Sequence, residues 1–487
     1  MAKRTAVIDI GSNSARMVVF ERTSRFGFHI VNETKSRVRI SEGAYNNNGQ
    51  LQPKAINRAI SALSQFLTIA KSFKTRKILC IATSAVRDAP NKKYFLKRVE
   101  TELNLKVKVI DGKKEAWLGG VAAINLLPVV DGVTIDIGGG STELALIQDR
   151  RVIETFSLDI GTVRLKELFF DKKIPIEDAK RYIKMTLSKL PEAFKSHQVI
   201  GIGGTIRAIT KTIMQQNEHP MEKVHAFSFL IESEDRFIQK ISQSSIMKLK
   251  KIGIKKNRLD TIRPGALIFW SLLEKIGAKS VITSGAGVRE GLFLSDLLRN
   301  SNCLFPHNFN PSVRSLQDRF DIDTKLANNI SSTAVAIFEA LQEPFKIPNY
   351  LKKDIKIAAK LSQIGTGLNF YDYHRHSAYM IINSLNYGFT HEEMVLIAIL
   401  VGLNRRGLSK NSFTRSYKKL LPDEKILSLL SYIVSLSKTI HFSRAIGRVN
   451  VTYKDSVLHI DTPFENYLAK ERIKELQKPT SIAVLLS

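Results

Sequence analysis

The chain carries one short sequence twice, as Ala6-Val7-Ile8-Asp9-Ile10-Gly11-Ser12-Asn13-Ser14 and as Val133-Thr134-Ile135-Asp136-Ile137-Gly138-Gly139-Gly140-Ser141. In each copy an apolar run containing aspartate leads into a small polar turn, and a second apolar run follows at residues 17–20 or 144–147. Apolar runs joined by a short turn of this composition predict a β-hairpin. Because the copies lie about one domain's length apart, the repeat predicts two similar lobes that face each other.

Patterns typical of helices and of buried strands alternate around the two hairpins. Residues 53–73 place apolar side chains at helical spacing, and residues 78–82 form a short continuous apolar run. This alternation, which continues to about residue 300, predicts an α/β architecture. After an Asn-, Pro- and Phe-rich stretch at residues 302–311, the pattern is almost wholly helical to about residue 440. Two alternating runs within residues 449–460 then predict a small α+β module.

These changes of pattern predict four domains. They are an α/β lobe at residues 1–125, a second α/β lobe at 126–305, a helical domain at 306–445 and a small α+β module at 446–487. The first two domains contain the repeated hairpins, so we expect the chemistry of the protein there.

The 487-residue chain has a formal net charge of +29, of which residues 1–305 carry +21. A positive field favours polyanionic partners such as nucleotides, polyphosphate or nucleic acid. Because the charge is spread over folded segments and not held in a basic tail, it argues against a nucleic-acid-binding arm. The basic run at residues 248–258 is typical of a solvated helix face; guidance of a polyanion is the alternative.

Targeting and membrane signals are weak. The two cysteines cannot form a disulfide framework, and the first apolar run is interrupted by Asp9, unlike a signal peptide. The longest apolar stretch, residues 394–403, is too short to span a membrane. We therefore predict a soluble cytoplasmic protein that has no membrane partner.

The repeated turns are candidates for phosphate binding. Backbone amides and hydroxyls of such a turn can hold phosphate oxygens, while a carboxylate at the strand end can hold a hydrated Mg²⁺. A single copy would be explained equally well by an ordinary hairpin turn. Two facing copies, together with glycine turns at residues 203–205 and 285–287, favour a phosphate-binding cleft.

These motifs resemble the exopolyphosphatase/guanosine pentaphosphate phosphatase family, which belongs to the superfamily of actin, hexokinase and acetate kinase. Four further motifs of that family follow in order, at residues 82–87, 112–116, 201–205 and 284–291. The resemblance covers roughly residues 1–300. It implies two actin-like, or ribonuclease H-like, α/β lobes. The implied activity is release of terminal orthophosphate from inorganic polyphosphate, guanosine pentaphosphate or both, within polyphosphate metabolism and the stringent response.

The resemblance also implies roles for individual residues. Glu115 matches the carboxylate that deprotonates the attacking water, and a divalent cation such as Mg²⁺ is expected on some of Asp9, Asp136 and Glu143. The candidates for phosphate binding are Ser12, Asn13, Arg16, Arg87, Gly138, Gly139, Gly140, Ser141, Gly203, Gly204 and Thr205. Without the resemblance, Glu115 would be read as an acidic residue stabilising a helix N-terminus, and either arginine as a member of a surface ion pair.

The helical domain resembles the histidine–aspartate (HD) domain of the long members of the family. Its best anchor is the sequence His374-Arg375-His376. The His-Asp pair of metal-dependent HD hydrolases is replaced by Ser362-Gln363, which are unsuitable as metal ligands. We therefore expect no catalytic metal here, and His374 and His376 to be structural or to contact a polyanion. The resemblance further implies a homodimer through the C-terminal domains.

Two other functions fit the sequence less well. One is a sugar- or acetate-type kinase of the same superfamily, although the motifs match the phosphatase branch. The other is a nucleic-acid-binding scaffold, for which only the charge argues; no nucleic-acid partner is expected because no aromatic-studded recognition motif is present.

Overall fold

The computed structural model describes residues 3–44, 47–403, 412–479 and 482–487. The chain divides into two compact units. The first comprises Met1–Arg22 and Phe28–Phe309, and the second comprises Thr23–Gly27 and Asn310–Ser487. The predicted linker at residues 302–311 therefore contains the main division. The four domain ranges given above stay predictions.

The first unit holds two β-sheets. The sheet of the first lobe contains β1 (Lys3–Ile10), β2 (Ala15–Arg22), β3 (Phe28–Ser36), β4 (Lys77–Ala82) and β5 (Lys108–Val109). The sheet of the second lobe contains β6 (Gly132–Ile137), β7 (Thr142–Gln148), β8 (Arg151–Leu158), β9 (Gln198–Ile202), β10 (Ser228–Leu230) and β11 (Ser280–Thr283).

The two sheets have the same topology. The strand order is β3-β2-β1-β4-β5 in the first lobe and β8-β7-β6-β9-β11 in the second, with β10 added at the edge. In both sheets an antiparallel three-strand meander continues into parallel strands. The predicted hairpins are β1–β2 and β6–β7, so the duplication seen in the sequence is a duplication of the whole sheet.

Helices cover these sheets. They are α1 (Pro53–Ser72), α2 (Ser84–Arg87), α3 (Lys92–Leu103), α4 (Gly112–Leu126), α5 (Thr162–Leu165), α6 (Ile176–Leu187), α7 (Gly203–Gln216), α8 (Ile231–Gln243), α9 (Ile246–Lys251), α10 (Ile262–Ile276) and α11 (Val288–Leu297). Apolar faces of the helices pack on the sheets; Phe66 of α1 and Phe269 of α10 are fully buried in the two cores. Burial of such side chains stabilises each lobe by about 1.5–3 kcal/mol per residue.

The second unit is helical with a small sheet. Its helices are α12 (Pro311–Arg319), α13 (Thr324–Gln342), α14 (Lys352–Leu361), α15 (Tyr373–Ser384), α16 (His391–Gly402), α17 (Ser412–Ser416), α18 (Glu424–Ile440) and α19 (Tyr467–Ile473), and its strands are β12 (Asn450–Lys454), β13 (Val457–Asp461) and β14 (Ala483–Leu486). The predicted hairpin is β12–β13, and β14 extends it as a parallel partner of β13.

The residues expected at the metal site of an HD domain lie on or next to two helices of the second unit. Ser362 follows α14 and donates its hydroxyl to the carbonyl of Ala359 at 2.8 Å, whereas His374 and His376 lie on α15. Among the described residues, no helix is long and apolar enough to cross a membrane. The role of the helical domain stays a prediction.

Candidate active site

The turns of the two repeated hairpins face each other across a cleft. Each turn is closed by a hydrogen bond from the amide of its first residue to the carbonyl of its last, at 3.2 Å across residues 11–14 and 3.0 Å across residues 138–141. The turns touch at Gly139, where an added Cβ would lie only 2.6 Å from Cβ of Ser12. The close approach requires glycine at this position, and it brings backbone amides of both lobes to one place.

A carboxylate stands at the same point of each hairpin. Asp9 is the penultimate residue of β1, and Asp136 is the penultimate residue of β6. Burial raises the pKa of both side chains, to about 6 for Asp9. Neighbouring arginines oppose the rise, chiefly Arg289 at Asp9 and Arg207 at Asp136. Buried carboxylates among arginines suit an anion-binding site in which charge must be balanced on binding.

Glu115 lies in the first turn of α4. The helix begins there because the side chain of Asp111 accepts a hydrogen bond from the Lys114 amide at 2.6 Å. The Glu115 side chain is only 12% exposed, and burial raises its pKa well above the usual range; the charge of Glu143 raises it further, while Arg87 opposes the rise. A carboxylate with a raised pKa is a stronger base towards water.

Arg87 connects Glu115 with the second turn. Its Nη1 donates to Oε2 of Glu115 at 3.3 Å, and its Nη2 lies 3.5 Å from Oγ of Ser141. Asp88 accepts from Nε of the same guanidinium at 3.2 Å. Arg87 therefore holds the orientation of Glu115 relative to the hairpin turn, and phosphate contact by Arg87 stays a prediction.

Glu143 lies beside the cleft and not in its lining. Its side chain is 2% exposed, and its Oε1 accepts a hydrogen bond from Oγ of Ser157 at 3.2 Å. Burial raises the pKa of Glu143 to about 8. This environment favours electrostatic influence on Glu115 over direct contact with substrate.

A third glycine turn closes the cleft from the second lobe. Gly203 has a φ of +86°, and an added Cβ would lie 2.3 Å from Oδ1 of Asp136. A Cβ on Gly204 would lie 2.1 Å from Nη2 of Arg258. Because these positions have no side chain, the Asp136 carboxylate and the Arg258 guanidinium both lie against the N-terminus of α7. Amide groups at a helix N-terminus attract anions.

Arg258 departs from the expectation for the basic run at residues 248–258. That run was expected to form a solvated helix face, but α9 ends at Lys251 and Arg258 ends a separate 3₁₀ turn at residues 256–258. The guanidinium lies against Gly204 and lines the cleft. The chain turns back after α9, so this last arginine reaches the cleft.

The cleft contains a cavity of about 150 Å³. Most of the predicted site residues line it: Asp9, Ser12, Asn13, Arg16, Glu115, Asp136, Gly138, Gly139, Gly203, Gly204 and Thr205. Arg87, Gly140, Ser141 and Glu143 lie outside that lining. Most of the predicted site residues therefore line one cavity, and the chemical role of each residue stays a prediction.

Four cations in the lining were not among the predicted site residues. They are Lys35, Arg207, Arg258 and Arg289. Burial lowers the pKa of Arg207 to about 10 and that of Lys35 to about 8, and neighbouring arginines add to both shifts. Such an excess of positive charge in a confined space favours binding of a multiply charged anion.

The two aspartates fit the predicted cation. Within the described ranges, no group of three or more His, Cys, Asp or Glu side chains could by itself hold a metal ion. Mg²⁺ is usually held by only one or two carboxylates, with water and substrate phosphates completing its octahedron. Oδ1 of Asp9 is buried and has no hydrogen-bond partner in the described part of the chain, as expected of an oxygen available to a cation. Glu143 fits less well because it lies outside the cleft lining.

The fold and site define an α/β protein whose two duplicated lobes enclose a cleft rich in cationic side chains. Comparison with known proteins gives the family. The profile of the Ppx/GppA phosphatase family matches residues 18–300, and that of Ppx/GppA phosphatase domain III matches residues 310–475. This chain belongs to the Ppx/GppA phosphatase family.

Relatives of similar length support the assignment. A guanosine-5'-triphosphate,3'-diphosphate pyrophosphatase from Pseudoalteromonas translucida is 27% identical over 477 residues, covering 95% of this chain and 92% of that protein. One from Aeromonas hydrophila is 27% identical over 412 residues, covering 81% and 79%. The chain is therefore similar to hydrolases of phosphoric anhydrides, which agrees with the predicted enzyme class over the kinase and scaffold alternatives.

Solved structures confirm the fold. The Aquifex aeolicus member of the Ppx/GppA family has a TM-score of 0.53 and 28% identity, covering 62% of this chain and 99% of that one. An exopolyphosphatase from Cytophaga hutchinsonii has a TM-score of 0.56 and 24% identity, covering 61% and 98%. The predicted pair of actin-like α/β lobes is confirmed.

Proposed function

We propose that this phosphatase removes the terminal phosphate of guanosine pentaphosphate and of inorganic polyphosphate, using Mg²⁺. The observation that carries the proposal is the position of Glu115. It is a carboxylate with a raised pKa, and it lines a cationic cleft between two facing phosphate-type turns. The names of the related pyrophosphatases support the nucleotide substrate, and the family supports hydrolysis.

The terminal phosphate would bind between the hairpin turns. The amides of Gly139 and of residues 203–205 would donate to its oxygens, and Arg16 would balance its charge from the first lobe. These groups are fixed before the substrate arrives, so they stabilise the charge of the transition state without reorganisation. Mg²⁺ on Asp9 and Asp136 would supply further neutralisation of the phosphate oxygens.

Glu115 then acts as the general base. It accepts a proton from a water molecule while the water oxygen attacks the terminal phosphorus. The bond between that phosphorus and the bridging oxygen breaks, and the bridging oxygen leaves with the shortened chain. The products are orthophosphate and a substrate shorter by one phosphate.

The direct test is phosphate release by the purified full chain. Guanosine pentaphosphate and long-chain polyphosphate are each assayed with Mg²⁺ and after chelation, with Glu115→Gln as the matched inactive protein. We expect release from both substrates with Mg²⁺ and none after chelation. Absence of release from both substrates under all conditions would refute the proposed function; release that survives exhaustive chelation would refute only the metal.

We also propose that the protein is a cytoplasmic homodimer formed through the helical domain. This domain exposes Phe370 (71%), Tyr371 (81%) and Tyr379 (68%), and exposed apolar side chains in one region favour protein contacts. Light scattering should give twice the chain mass. The double variant Tyr371→Asp, Tyr379→Asp should give a monomer, and an unchanged mass for it would exclude this surface.

A further inference from the structure

Arg289 enters the cleft from the first turn of α11, whose backbone is held in place. The Gly287 amide donates to Oε2 of Glu290 at 2.7 Å, which caps the start of the helix. Further along α11, Phe293 stacks on Phe20 of β2 with ring centroids 4.2 Å apart. These contacts fix the Cα of Arg289 beside the first lobe. What remains adjustable is the direction of its long side chain, which has many rotamers.

Glu33 of β3 binds the end of that side chain. Nη1 of Arg289 donates to Oε1 of Glu33 at 2.8 Å, and the side chains are 7% and 52% exposed, respectively. Glu33 precedes Lys35 by two residues on β3, so both project to the same face of the sheet. Lys35 lines the cleft cavity, whereas Glu33 lies outside its lining. The ion pair therefore draws the guanidinium of Arg289 towards the solvent-exposed edge of the cleft.

Asp9 is a competing acceptor for the same guanidinium. Asp9 and Arg289 line one cavity. Burial raises the pKa of Asp9, and Arg289 is the neighbouring charge that opposes this rise most strongly. Within the described residues, no ion pair joins the two side chains, and Oδ1 of Asp9 is buried without a hydrogen-bond partner. An arginine near a buried carboxylate ordinarily pairs with it, but here the guanidinium contacts Glu33 instead.

We propose that Glu33 is a positioning residue that holds Arg289 away from Asp9 and so keeps the Asp9 carboxylate available to Mg²⁺. The inference rests on the proposed function for its metal. Without Glu33, the guanidinium can turn to Asp9 and balance the charge of this carboxylate. The cation would then have to displace the guanidinium before it binds. Glu33 itself contacts neither the cation nor the substrate, and its effect passes through Arg289.

The test measures the affinity of the full-length protein for Mn²⁺ alone, from the electron paramagnetic resonance signal of the unbound ion. Mn²⁺ prefers the same oxygen ligands as Mg²⁺, and its detection needs no substrate or turnover. We expect Glu33→Ala to raise the dissociation constant of Mn²⁺ about 10-fold, the usual effect of losing a residue that supports a metal ligand indirectly. Glu33→Gln keeps a hydrogen-bond acceptor without the charge and should raise the constant less.

A double-mutant cycle with Arg289→Met separates positioning from simple removal of charge. Methionine keeps an unbranched apolar side chain and lacks the guanidinium. Because Glu33 acts through Arg289, Glu33→Ala should change the dissociation constant by less than about twofold in the Arg289→Met protein. The control is Glu42→Ala. Glu42 is a first-lobe carboxylate of similar exposure (48%) that pairs with Arg39 and Arg58, and its loss should leave Mn²⁺ binding unchanged.

Two results would overturn the inference. An equal loss of affinity on Glu33→Ala with and without Arg289 would show that Glu33 acts through its own charge. An unchanged affinity in the Glu33→Ala single variant would show that Arg289 stays away from Asp9 without this partner. Failure of the unsubstituted protein to bind Mn²⁺ would instead refute the metal of the proposed function, and the inference with it. Phosphate release from polyphosphate by the same protein tests the hydrolase activity separately.

Discussion

The two hairpins of the cleft share the same strand pairing and the same turn-closing hydrogen bond, but their aspartates face different residues on the opposite strand. Asp9 lies opposite Arg16 in the first hairpin, and Asp136 lies opposite Glu143 in the second. Directly opposed residues of antiparallel strands project to the same face and interact. The first hairpin therefore pairs its carboxylate with a cation, whereas the second pairs its carboxylate with another acid.

This difference divides the chemistry between duplicated lobes. Arg16 lines the cleft, where it can contact a phosphate. Glu143 is buried outside the lining, and its charge adds to the burial that raises the pKa of Glu115. The two copies of the hairpin can therefore have different roles. The first can bind substrate through Arg16, and the second raises the pKa of Glu115 through Glu143. These two residues occupy equivalent positions.

The largest expected effect is the loss of the general base Glu115, whose pKa is raised by Glu143 of the second hairpin. Glu115→Gln keeps the size of the side chain and removes its ability to accept a proton. We expect kcat to fall by about 10²–10⁴-fold, the usual loss for a general base, with KM little changed. Steady-state phosphate release measures both constants. A folded variant with near-normal kcat would show that Glu115 is not the base.

The next largest effect is on the Mg²⁺ requirement, which we expect to depend on Asp9 and Asp136 and not on Glu143. In Asp9→Asn and Asp136→Asn, the concentration of Mg²⁺ needed for half-maximal activity should rise by at least about 10-fold, because removing even indirect ligand support has such an effect on metal affinity. Glu143→Gln is the matched control: it neutralises a carboxylate outside the cleft lining. An unchanged Mg²⁺ requirement in both asparagine variants would contradict the assignment of the metal to these strand ends.

A smaller effect is expected at the cation of the first hairpin. Arg16→Gln removes a charged hydrogen bond to the substrate phosphate. Because this bond is lost, we expect KM to rise about 10-fold. Arg98→Gln serves as the control, because Arg98 pairs on the surface of α3 with Glu102 and such pairs contribute little. Equal kinetics of Arg16→Gln and Arg98→Gln would remove Arg16 from the binding site.

The sequence predicted the fold and placed most of the candidate site residues in the cleft lining, because both follow from local motifs. The repeated hairpins specify strand, turn and strand within about fifteen residues each, and the strand-end position of Asp9 and Asp136 follows from the motif alone. Glu115 and Glu143 depended on the family resemblance, since a helix first turn or a strand position does not by itself indicate catalysis.

The missed cations depend on contacts between distant segments. Nothing within the basic run distinguishes Arg258 from its neighbours; its place is decided by the fold after α9 and by the bare backbone of Gly204. Arg289 lies inside the family motif at residues 284–291, so for this cation the sequence does contain a local signal. Arg207 follows Gly203 by one helical turn on α7, a spacing that places both at the same end of the helix.

The smallest expected effect is a shift of the pH profile when Glu143 of the second hairpin is replaced. Glu115 works as a base only when it is deprotonated, so activity should fall as the pH drops below its pKa. Burial raises this pKa first, and the negative charge of Glu143 raises it further. Glu143→Gln removes the second contribution and lowers the pKa of Glu115. The acidic limb of the pH profile of kcat/KM should therefore move to lower pH, by about one unit for a close pair of carboxylates.

An increase in rate at acidic pH would distinguish this effect from general damage to the fold, which would lower the rate at every pH. On the acidic side of the profile Glu143→Gln should be faster than the parent protein, and on the alkaline plateau the two should differ by no more than a few-fold. Asp9→Asn and Glu143→Gln measured in parallel then compare the two hairpins directly, the first through Mg²⁺ dependence and the second through pH dependence. An acidic limb that stays in place in Glu143→Gln would mean that Glu143 does not tune the base and that the two hairpins differ only in what they bind.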